Sequence, residues 1–335
     1  MLKVLFVHPG MSPFIQKDLD NLRKHFSVRT VDFGFQGGGP MKLVRSAWAM
    51  ISGAMWADVS FLWFADIHAL LAVRLSRLFG KKSIVIVGGY EVAKVPEIGY
   101  GSLLWPTGSR IVERVLRDSS KVLAVSEFSR KEILNCCSKA ENVQVIHSNV
   151  ECPGTEPATK KEELVITAGP VNAGNLSRKG LECFVRAASF VPDARFAVIG
   201  KWVDDSIDQL KAIAPKNVEF PGYVSREELL DWYRKARVYC QLSIYESFGF
   251  ALAEAMCFGC VPVVTGNSAL PEVVGDTGII VTSGDPEKVA EGIRRALVSG
   301  TGNAARRRVL QNFSEPKREN QLVKTIDEVC ARSSR

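Results

Sequence analysis

Two glutamates separated by seven residues, Glu246 and Glu254, are the first candidates for a chemical role in this chain. They flank Ser247-Phe-Gly249, a stretch that predicts the start of a helix with Ser247 as its N-cap. The N–H groups at a helix start attract anions, whereas carboxylates accept hydrogen bonds from hydroxyl groups. A phosphate that carries a sugar on each side fits this combination, and we predict a ligand of that kind here.

A second cluster of candidate residues follows the first predicted strand in the second half of the chain. A polar, glycine-containing loop at 167–180 delivers Arg178 and Lys179 to the start of a helix predicted at 179–190. Two cations beside backbone amides can hold a diphosphate, the guanidinium as a planar fork and the ammonium as a point charge. A solvated surface turn is the alternative. Because this loop and the Glu246 loop follow strands of the same predicted sheet, ligand binding is favoured.

Other kinds of site have little support in the sequence. The glycine patterns typical of dinucleotide-binding folds and of ATPase phosphate loops are absent. Asp18 and Asp20 are two residues apart in a predicted helix and so point away from each other, and Asp204-Asp205 has no further acids or histidines nearby. We therefore predict no metal site and no bound cofactor.

The cysteines and histidines are interpreted as structural residues. Eight irregularly spaced cysteines in a chain without a signal peptide predict reduced thiols and a cytoplasmic protein. Cys257 and Cys260 form a C-x-x-C pair, but no second pair completes a zinc site, so packing is the favoured role. His8 and His68 follow predicted strands and can face a cleft, yet a structural role is favoured for both.

The composition is that of a globular protein. The chain has 335 residues, of which 46% are hydrophobic and 24% charged, and its length favours two domains. The net charge of +7 is compatible with nucleotide phosphates, an anionic membrane surface or nucleic acid. No basic block with interleaved aromatic residues is present, so we expect no nucleic-acid partner.

Short apolar runs alternate with helical patterns along the chain, and helices are predicted at 14–25, 67–79, 127–137, 179–190, 225–235, 250–258 and 286–299. Such alternation predicts an α/β protein with parallel sheets covered by helices. The predicted strands are 4–8, 28–32, 59–63, 83–87, 122–125 and 143–147 in the first half, and 164–168, 195–199, 218–220, 238–241, 261–264 and 278–281 in the second. A polar linker at 151–163 separates two Rossmann-like domains, 1–155 and 156–315, and we expect a central cleft between them. A final helix at 316–335 is predicted to return to the first domain.

The most apolar region, 47–65, contains three tryptophans. A helix followed by a strand is predicted there, not a transmembrane span, because Gly53 and Asp58 interrupt the run. Helical spacing is present at Val44, Trp48, Ile51 and Met55. Packing in the core is the favoured role, and the alternative is that this helix, with Lys42 and Arg45 at its start, rests on a membrane.

The stretch from 243 to 256 resembles the E-x7-E signature of the family-four retaining glycosyltransferases, which have the GT-B fold. Around it, 217–224 resembles the strand and loop that this family places near the nucleotide base, and Phe196-Ala-Val-Ile-Gly200 resembles its strand-then-glycine element. Lys179-Gly180 resembles its phosphate-binding lysine. Three runs follow the usual tail of the motif: Pro262-Val-Val, Pro271-Glu-Val-Val and Gly278-Ile-Ile-Val. The resemblance covers residues 164–282, and residues 1–150 only in general pattern.

The resemblance implies that a sugar passes from a nucleotide diphosphate sugar to an acceptor hydroxyl, with retained configuration and without a metal. Glu254 would accept hydrogen bonds from the ribose, Glu246 would hold a hydroxyl of the donor sugar, and Lys179 would neutralise the leaving phosphate. Further donor-binding positions implied by the match are Arg178, Gly200, Tyr223, Val224, Phe248, Gly249, Phe250 and, in the first half, Gly10.

The sequence departs from the family at several positions. Gly169-Pro170 stands where the family commonly has Gly-Arg, and Arg178 is the candidate to supply the missing charge. The first half has Pro9-Gly10 after its first strand and Gly88-Gly89-Tyr90 where many relatives have a histidine. Two alternatives stay open: a non-catalytic nucleotide-sugar binding protein, and a GT-B epimerase or phosphorylase. The acceptor is unknown, with lipid-linked acceptors and a peripheral position on the inner face of a membrane among the expectations.

Overall fold

A computed structural model describes residues 1–34, 40–138, 140, 142–154 and 161–331, without the side chains of residues 40, 42 and 43. The chain divides into two units, Met1–Ser148 with Pro316–Arg335, and Asn149–Glu315. The predicted domain boundary at 155, residues 155–160 of the predicted linker and the last four residues of the predicted return helix lie outside the described residues.

The described residues form strands and helices in regular alternation. The strands are β1 (Lys3–His8), β2 (Ser27–Asp32), β3 (Val59–Trp63), β4 (Lys82–Val87), β5 (Lys121–Ala124), β6 (Val143–Val145), β7 (Glu162–Ala168), β8 (Arg195–Ile199), β9 (Val218–Gly222), β10 (Ala236–Gln241), β11 (Val261–Thr265) and β12 (Ile279–Val281). The helices are α1 (Pro13–His25), α2 (Pro40–Trp56), α3 (Ile67–Leu78), α4 (Pro106–Asp118), α5 (Glu127–Cys136), α6 (Ala173–Arg178), α7 (Leu181–Ala187), α8 (Ser206–Ile213), α9 (Arg226–Lys235), α10 (Phe250–Cys257), α11 (Leu270–Val274), α12 (Pro286–Val298), α13 (Gly302–Asn312) and α14 (Glu315–Ala331).

The first unit is built on a six-stranded parallel sheet in the order β2-β1-β3-β4-β5-β6. Its central strands are apolar runs whose residues are all buried in β3 and nearly all buried in β1 and β4. Strands of this kind need cover on both faces of the sheet. One core cluster packs α2, α3, α4 and α5 against one face, and a second packs α1 and α14 against the other.

The last helix, α14, is part of the first unit and is held there by a buried ion pair. Arg318 donates two hydrogen bonds of 2.7 Å to the carboxylate of Asp18 in α1. It donates two more to the backbone oxygens of Ile146 and His147, at 3.0 and 2.8 Å. Asp18, one of the acids considered for a metal site, therefore holds two helices together.

The second unit is a six-stranded parallel sheet in the order β12-β11-β10-β7-β8-β9. Helices cover both faces, and two core clusters fill the space beneath them. Because all strands run in the same direction, the loops after β7, β8, β9, β10 and β11 meet at one edge of the sheet. The candidate ligand-binding residues of this unit lie at that edge.

The fold class predicted from the sequence is confirmed. All twelve predicted strands are present, and α14 covers the described part of the helix predicted at 316–335. Five helices have no counterpart among the predictions: α4, α6, α8, α11 and α13. Three of them have eight residues or fewer, too short for apolar periodicity to identify a helix.

The prediction of reduced thiols is wrong for two cysteines. Cys152 and Cys257, which are 105 positions apart in sequence, form a disulfide with their Cα atoms 5.1 Å apart. Spacing along the chain carries no signal for a pair that only the fold brings together. Cys260, the other member of the C-x-x-C pair, is a buried free thiol that packs in the core, as predicted.

The prediction that the tryptophan-rich stretch packs in the core is only partly correct. Trp63 in β3 is buried, whereas Trp48 in α2 is 71% exposed. The helix itself is present and packs through its other side, which includes Met50 and Ala54. Across the described parts of the chain, no helix has both the length and the apolar character that crossing a bilayer requires.

Candidate functional site

The helix that follows Glu246, α10, begins at Phe250, and its N-cap lies two residues after the predicted Ser247. Its N-cap is Gly249, with a φ of 94°. A left-handed backbone here favours glycine, and an added Cβ would lie 3.0 Å from Leu270. The first four amides of a helix have no partner within it. The amides of Phe250 and its neighbours are therefore the anion-attracting groups of this site.

Glu246 lies in the loop before α10, where its carboxylate is held by the end of β10. Gln241, a buried residue, donates a hydrogen bond of 3.0 Å to Oε2, and Ser243 donates one of 3.4 Å to the same atom. The backbone of Glu246 is fixed as well, because the amide of Ala269 donates a hydrogen bond of 3.0 Å to the Glu246 carbonyl. The carboxylate is thus oriented before any ligand arrives.

Arg178 and Lys179 lie beside this carboxylate. The Nζ atom of Lys179 is 3.5 Å from Oε2 of Glu246, and Nη1 of Arg178 is 3.9 Å from it. The three side chains are between 16 and 20% exposed, so water screens their charges only in part. Two cations and one anion leave a net positive charge, which suits a phosphate.

The two cations end one helix, α6, and directly precede the next, α7, which begins two residues later than the predicted helix. Arg178 is the last residue of α6 and Lys179 its C-cap. Asn172 caps the start of α6 by accepting a hydrogen bond of 2.9 Å from the amide of Asn175. Gly180 then takes a left-handed conformation, φ 65°, and an added Cβ would lie 2.7 Å from Leu242, so this position requires glycine. An Asn at the start and a glycine at the end were the sequence signals for α6.

Arg178 is oriented by its own helix. Its Nε and Nη2 atoms donate to the side-chain oxygen of Asn175 at 3.1 and 2.8 Å, and Nη1 donates to the carbonyl of Tyr245 at 3.4 Å. The last contact lies next to Glu246 in sequence. Arg178 therefore connects the loop after β7 to the loop after β10.

The loops after β7 and β8 approach each other through two glycines. The side chain of Lys179 lies over Gly169, whose added Cβ would come within 3.1 Å of its Cε atom. At Gly200 an added Cβ would lie 2.0 Å from the carbonyl oxygen of Gly169. The predicted site residue Gly200 therefore allows a close backbone approach at the edge where Lys179 lies.

Glu254 is paired with a residue that the sequence did not single out. Arg226, the first residue of α9, donates two hydrogen bonds of 2.8 Å, one to each carboxylate oxygen of Glu254. These hydrogen bonds are the main reason that the pKa of Arg226 is raised. The pair brings the loop of Tyr223 and Val224 towards α10. Tyr223 is 78% exposed, and Val224 packs partly buried against the core.

The remaining predicted residues have different surroundings. Phe248 is buried and packs edge-on against Phe250 and Phe313, so its side chain belongs to the core. Gly10 follows β1 in the first unit, with open space around the position of an added Cβ.

Residues 166–299, which include all of these second-unit residues, match the family model described as glycosyl transferases group 1. We refer to residues 166–299 as the group 1 segment.

Curated relatives of the group 1 segment are glycosyltransferases of several kinds. One is the O-antigen chain mannosyltransferase B of Escherichia coli, 30% identical over 201 residues, which are 54% of this chain and 52% of the relative. Another is the MMP alpha-(1->4)-mannosyltransferase of Mycolicibacterium hassiacum, 27% identical over 236 residues, or 66% and 57% of the two chains. The chain thus spans little more than half the length of the curated relatives it matches.

Solved structures confirm the fold over nearly the whole chain. Anabaena HepE in complex with UDP and glucose superposes with a TM-score of 0.79 at 15% identity, covering 98% of this chain and all of HepE. Sucrose-phosphate synthase from Thermosynechococcus elongatus superposes with a TM-score of 0.78 at 16% identity, covering 99% and 100%. At these sequence identities the superpositions show a shared fold and no more. This fold is the GT-B fold that the sequence predicted.

Two residues of the group 1 segment were missed by sequence reasoning. Gln241 is the last residue of β10, and the carboxyl end of a parallel strand was the signal available for it. Arg226 follows Ser225, which forms a capping box with Glu228 and so marks the start of α9. That signal locates the helix, but it does not show that Arg226 meets Glu254.

Proposed function

We propose that this protein is a retaining glycosyltransferase that moves a sugar from a nucleotide diphosphate sugar to an acceptor hydroxyl. One arrangement supports it: two carboxylates lie on either side of the start of α10, and the cations Arg178 and Lys179 lie 3.9 and 3.5 Å from Glu246. The cations and the helix amides suit the diphosphate, and the carboxylates suit the hydroxyl groups of the two sugars that flank it.

In this scheme the nucleoside half of the donor binds through Glu254. Each carboxylate oxygen has a second lone pair besides the one that Arg226 occupies, so Glu254 can still accept hydrogen bonds from the two ribose hydroxyls. We assign Tyr223 and Val224, three and two residues before Arg226, to contacts with the base.

The transferred sugar binds next to Glu246. The described contacts of this carboxylate converge on Oε2, where Gln241 and Ser243 hold it. Oε1 is the atom that we assign to a hydroxyl of the donor sugar. When the protein holds both ends of the donor, the position of the anomeric carbon between them is fixed.

The chemical step breaks the bond between the anomeric carbon and the diphosphate oxygen and forms a bond from that carbon to the acceptor oxygen. The acceptor hydroxyl loses its proton to the departing diphosphate oxygen, so atoms and charge balance without a protein nucleophile. Negative charge on the diphosphate grows in the transition state. Lys179 and the amides at Gly249 and Phe250 are the groups positioned to stabilise it, and fixed groups of this kind are the main catalytic contribution. The scheme uses these groups in place of a metal or cofactor.

The similar proteins suggest which donors to test first. HepE has been solved in complex with UDP-glucose, and two of the curated relatives are mannosyltransferases. UDP-glucose and GDP-mannose are therefore the first two donors. Small sugars, polysaccharide fragments and lipid-linked oligosaccharides are the acceptor classes, because nothing in the described residues selects one of them.

The test is acceptor-dependent release of nucleotide. The protein is incubated with each donor and acceptor, and free UDP or GDP and the anomeric configuration of the product are measured. We expect release only when the acceptor is present, and a product that keeps the donor's configuration. Binding without release would indicate a sensor, release requiring only phosphate a phosphorylase, and an inverted product would contradict the retaining mechanism.

A variant links the assay to the site. Removing a hydrogen bond to a charged group costs about 1.5–3 kcal/mol, so Glu254→Ala should weaken donor binding roughly ten- to hundredfold. Glu287→Ala, a change at an exposed glutamate in the first turn of α12, is the matched control and should leave donor binding unchanged. Wild-type affinity in Glu254→Ala would contradict the assignment.

A further inference from the structure

The outer side of α2 carries a row of apolar side chains that face solvent. Met41, Val44, Trp48 and Met55 are 71, 63, 71 and 53% exposed. Their spacings of three, four and seven residues place them on one side of a helix with about 3.6 residues per turn. A single exposed apolar residue is ordinary, but four aligned on one helix, with a tryptophan among them, require a partner surface.

The neighbouring helix, α3, continues this row. Leu71 and Leu78 are 38 and 75% exposed, and Arg74 between them is exposed as well. Both helices pack against the same face of the first unit's sheet, through one core cluster that includes Met50 and Val73. Their outer sides therefore face away from the sheet in the same direction. We call the six exposed apolar residues of α2 and α3 the α2/α3 face.

The charged residues within α2 and α3 have one sign. Neither α2 nor α3 contains an aspartate or a glutamate, whereas together they contain Lys42, Arg45, Arg74 and Arg77. By contrast, α14 on the opposite face of the sheet contains Glu315, Glu319, Asp327 and Glu328 besides its cations. The two helices that expose the apolar residues thus contain cations only, of which Arg45 and Arg74 are exposed, whereas Arg77 lies 3.1 Å from Asp118 of α4.

We propose that the α2/α3 face binds the surface of a membrane that contains anionic lipid. Apolar side chains of an amphipathic helix enter the boundary between headgroups and acyl chains, tryptophan is suited to that boundary, and arginines bind the phosphates. A second copy of this chain is a poorer partner, because pairing two such faces would bring the same cations together. Binding needs no sugar donor, so this inference is independent of the proposed enzymatic activity.

Vesicle sedimentation tests the proposal. The full chain is mixed with vesicles of phosphatidylcholine alone, or with vesicles in which about one third of the lipid is phosphatidylglycerol. We expect binding to the anionic vesicles at low salt, weaker binding as salt is raised, and little binding to the neutral ones. The double variant Val44→Asp/Trp48→Asp should lower the partition coefficient at least about tenfold, since it places two charges in the apolar boundary.

Two controls make the result specific. Val298→Asp changes an 88% exposed valine on α12 of the second unit and should bind vesicles as wild type does. Thermal unfolding of each variant confirms that it is folded. Brominated lipid should quench the fluorescence of the wild-type protein more than that of Trp48→Phe, because Trp48 is the tryptophan that enters the bilayer.

Three results would overturn the proposal. They are the absence of binding to anionic vesicles, equal binding by wild type and by Val44→Asp/Trp48→Asp, and equal quenching of wild type and Trp48→Phe. Concentration-dependent self-association that Val44→Asp/Trp48→Asp abolishes, without vesicle binding, would assign the face to a second copy of the chain instead.

Discussion

The guanidinium of Arg226 holds both carboxylate oxygens of Glu254, each at 2.8 Å. The two residues come from different helices, α9 and α10, and are 28 residues apart in sequence. A two-point contact fixes the plane of the carboxylate, which a single hydrogen bond does not. If Glu254 binds the ribose, the contact with Arg226 sets the direction of the remaining lone pairs of the Glu254 carboxylate.

We expect Arg226→Met to raise the Kd and KM for the donor about tenfold and to leave kcat nearly unchanged, because the arginine acts on binding through Glu254. The pair is partly exposed, so the effect should be smaller than for a buried pair. Arg234→Met on the same helix, where Arg234 pairs with Asp231 on the surface, is the control.

A double-variant cycle separates this positioning role from a structural one. Adding Arg226→Met to Glu254→Gln should have little further effect on donor binding, since one residue works through the other. Additive losses would mean that Arg226 acts on its own. Tighter donor binding by Arg226→Met would show that the arginine competes with the ribose for Glu254.

Lys179→Ala should mainly lower kcat, by roughly ten- to hundredfold, with a small effect on KM. The charge that Lys179 neutralises develops as the diphosphate leaves, so its contribution is larger in the transition state than in the bound donor. Steady-state kinetics with saturating acceptor measure the effect of the substitution on kcat and on KM separately.

Lys216→Ala is the control for this change, because Lys216 is an exposed lysine that precedes β9, at the opposite edge of the sheet. It should leave both constants unchanged. A rise in KM alone for Lys179→Ala would indicate that the lysine only binds the donor.

Arg318→Met should destabilise the first unit by about 3–5 kcal/mol, because it leaves the buried carboxylate of Asp18 without its charged partner. Denaturant unfolding measures the change. Lys24→Ala, which removes a partly exposed ion pair of 2.8 Å between the same two helices, should cost less than about 1 kcal/mol. Adding Asp18→Asn to Arg318→Met should restore part of the lost stability, and equal losses for Arg318→Met and Lys24→Ala would contradict a central role for the buried pair.

Stability should decrease as the pH falls below about 6.5. Burial lowers the pKa of His68 from its ordinary value of 6.5, against the opposing effects of the Trp63 carbonyl, 2.7 Å from Nε2, and of Asp66. Burial also lowers the pKa of His8. The unfolded chain then binds more protons than the folded one. The stabilisation is complete above the unfolded pKa and is lost as the pH falls from there towards the folded pKa.

Thermal unfolding of wild type and His68→Gln between about pH 7.5 and 5 tests this. The variant is expected to be less stable throughout, so the informative quantity is the slope of the melting temperature against pH. The difference between the two proteins should shrink as the pH falls. Parallel curves would show that His68 does not titrate differently in the folded state.

The sequence by itself determined the sheets and most of the candidate site. Strands of apolar residues, the glycine at the start of α10 and the cations after β7 are local signals that lie within a few residues of the group they position. Glu246, Glu254 and Lys179 were identified for that reason.

The tertiary structure decided which distant residues meet and which apolar residues stay in solvent. Arg226 reaches Glu254, Cys152 reaches Cys257 and Arg318 reaches Asp18 across 28, 105 and 300 residues. No local pattern specifies such a pair, because the contact depends on how several elements pack between its members. The same applies to Trp48. The apolar residues of α2 recur with the period of a helix, but this period does not show which side of the helix is buried. Packing against the sheet buries the side with Met50 and Ala54 and leaves the side with Trp48 in solvent.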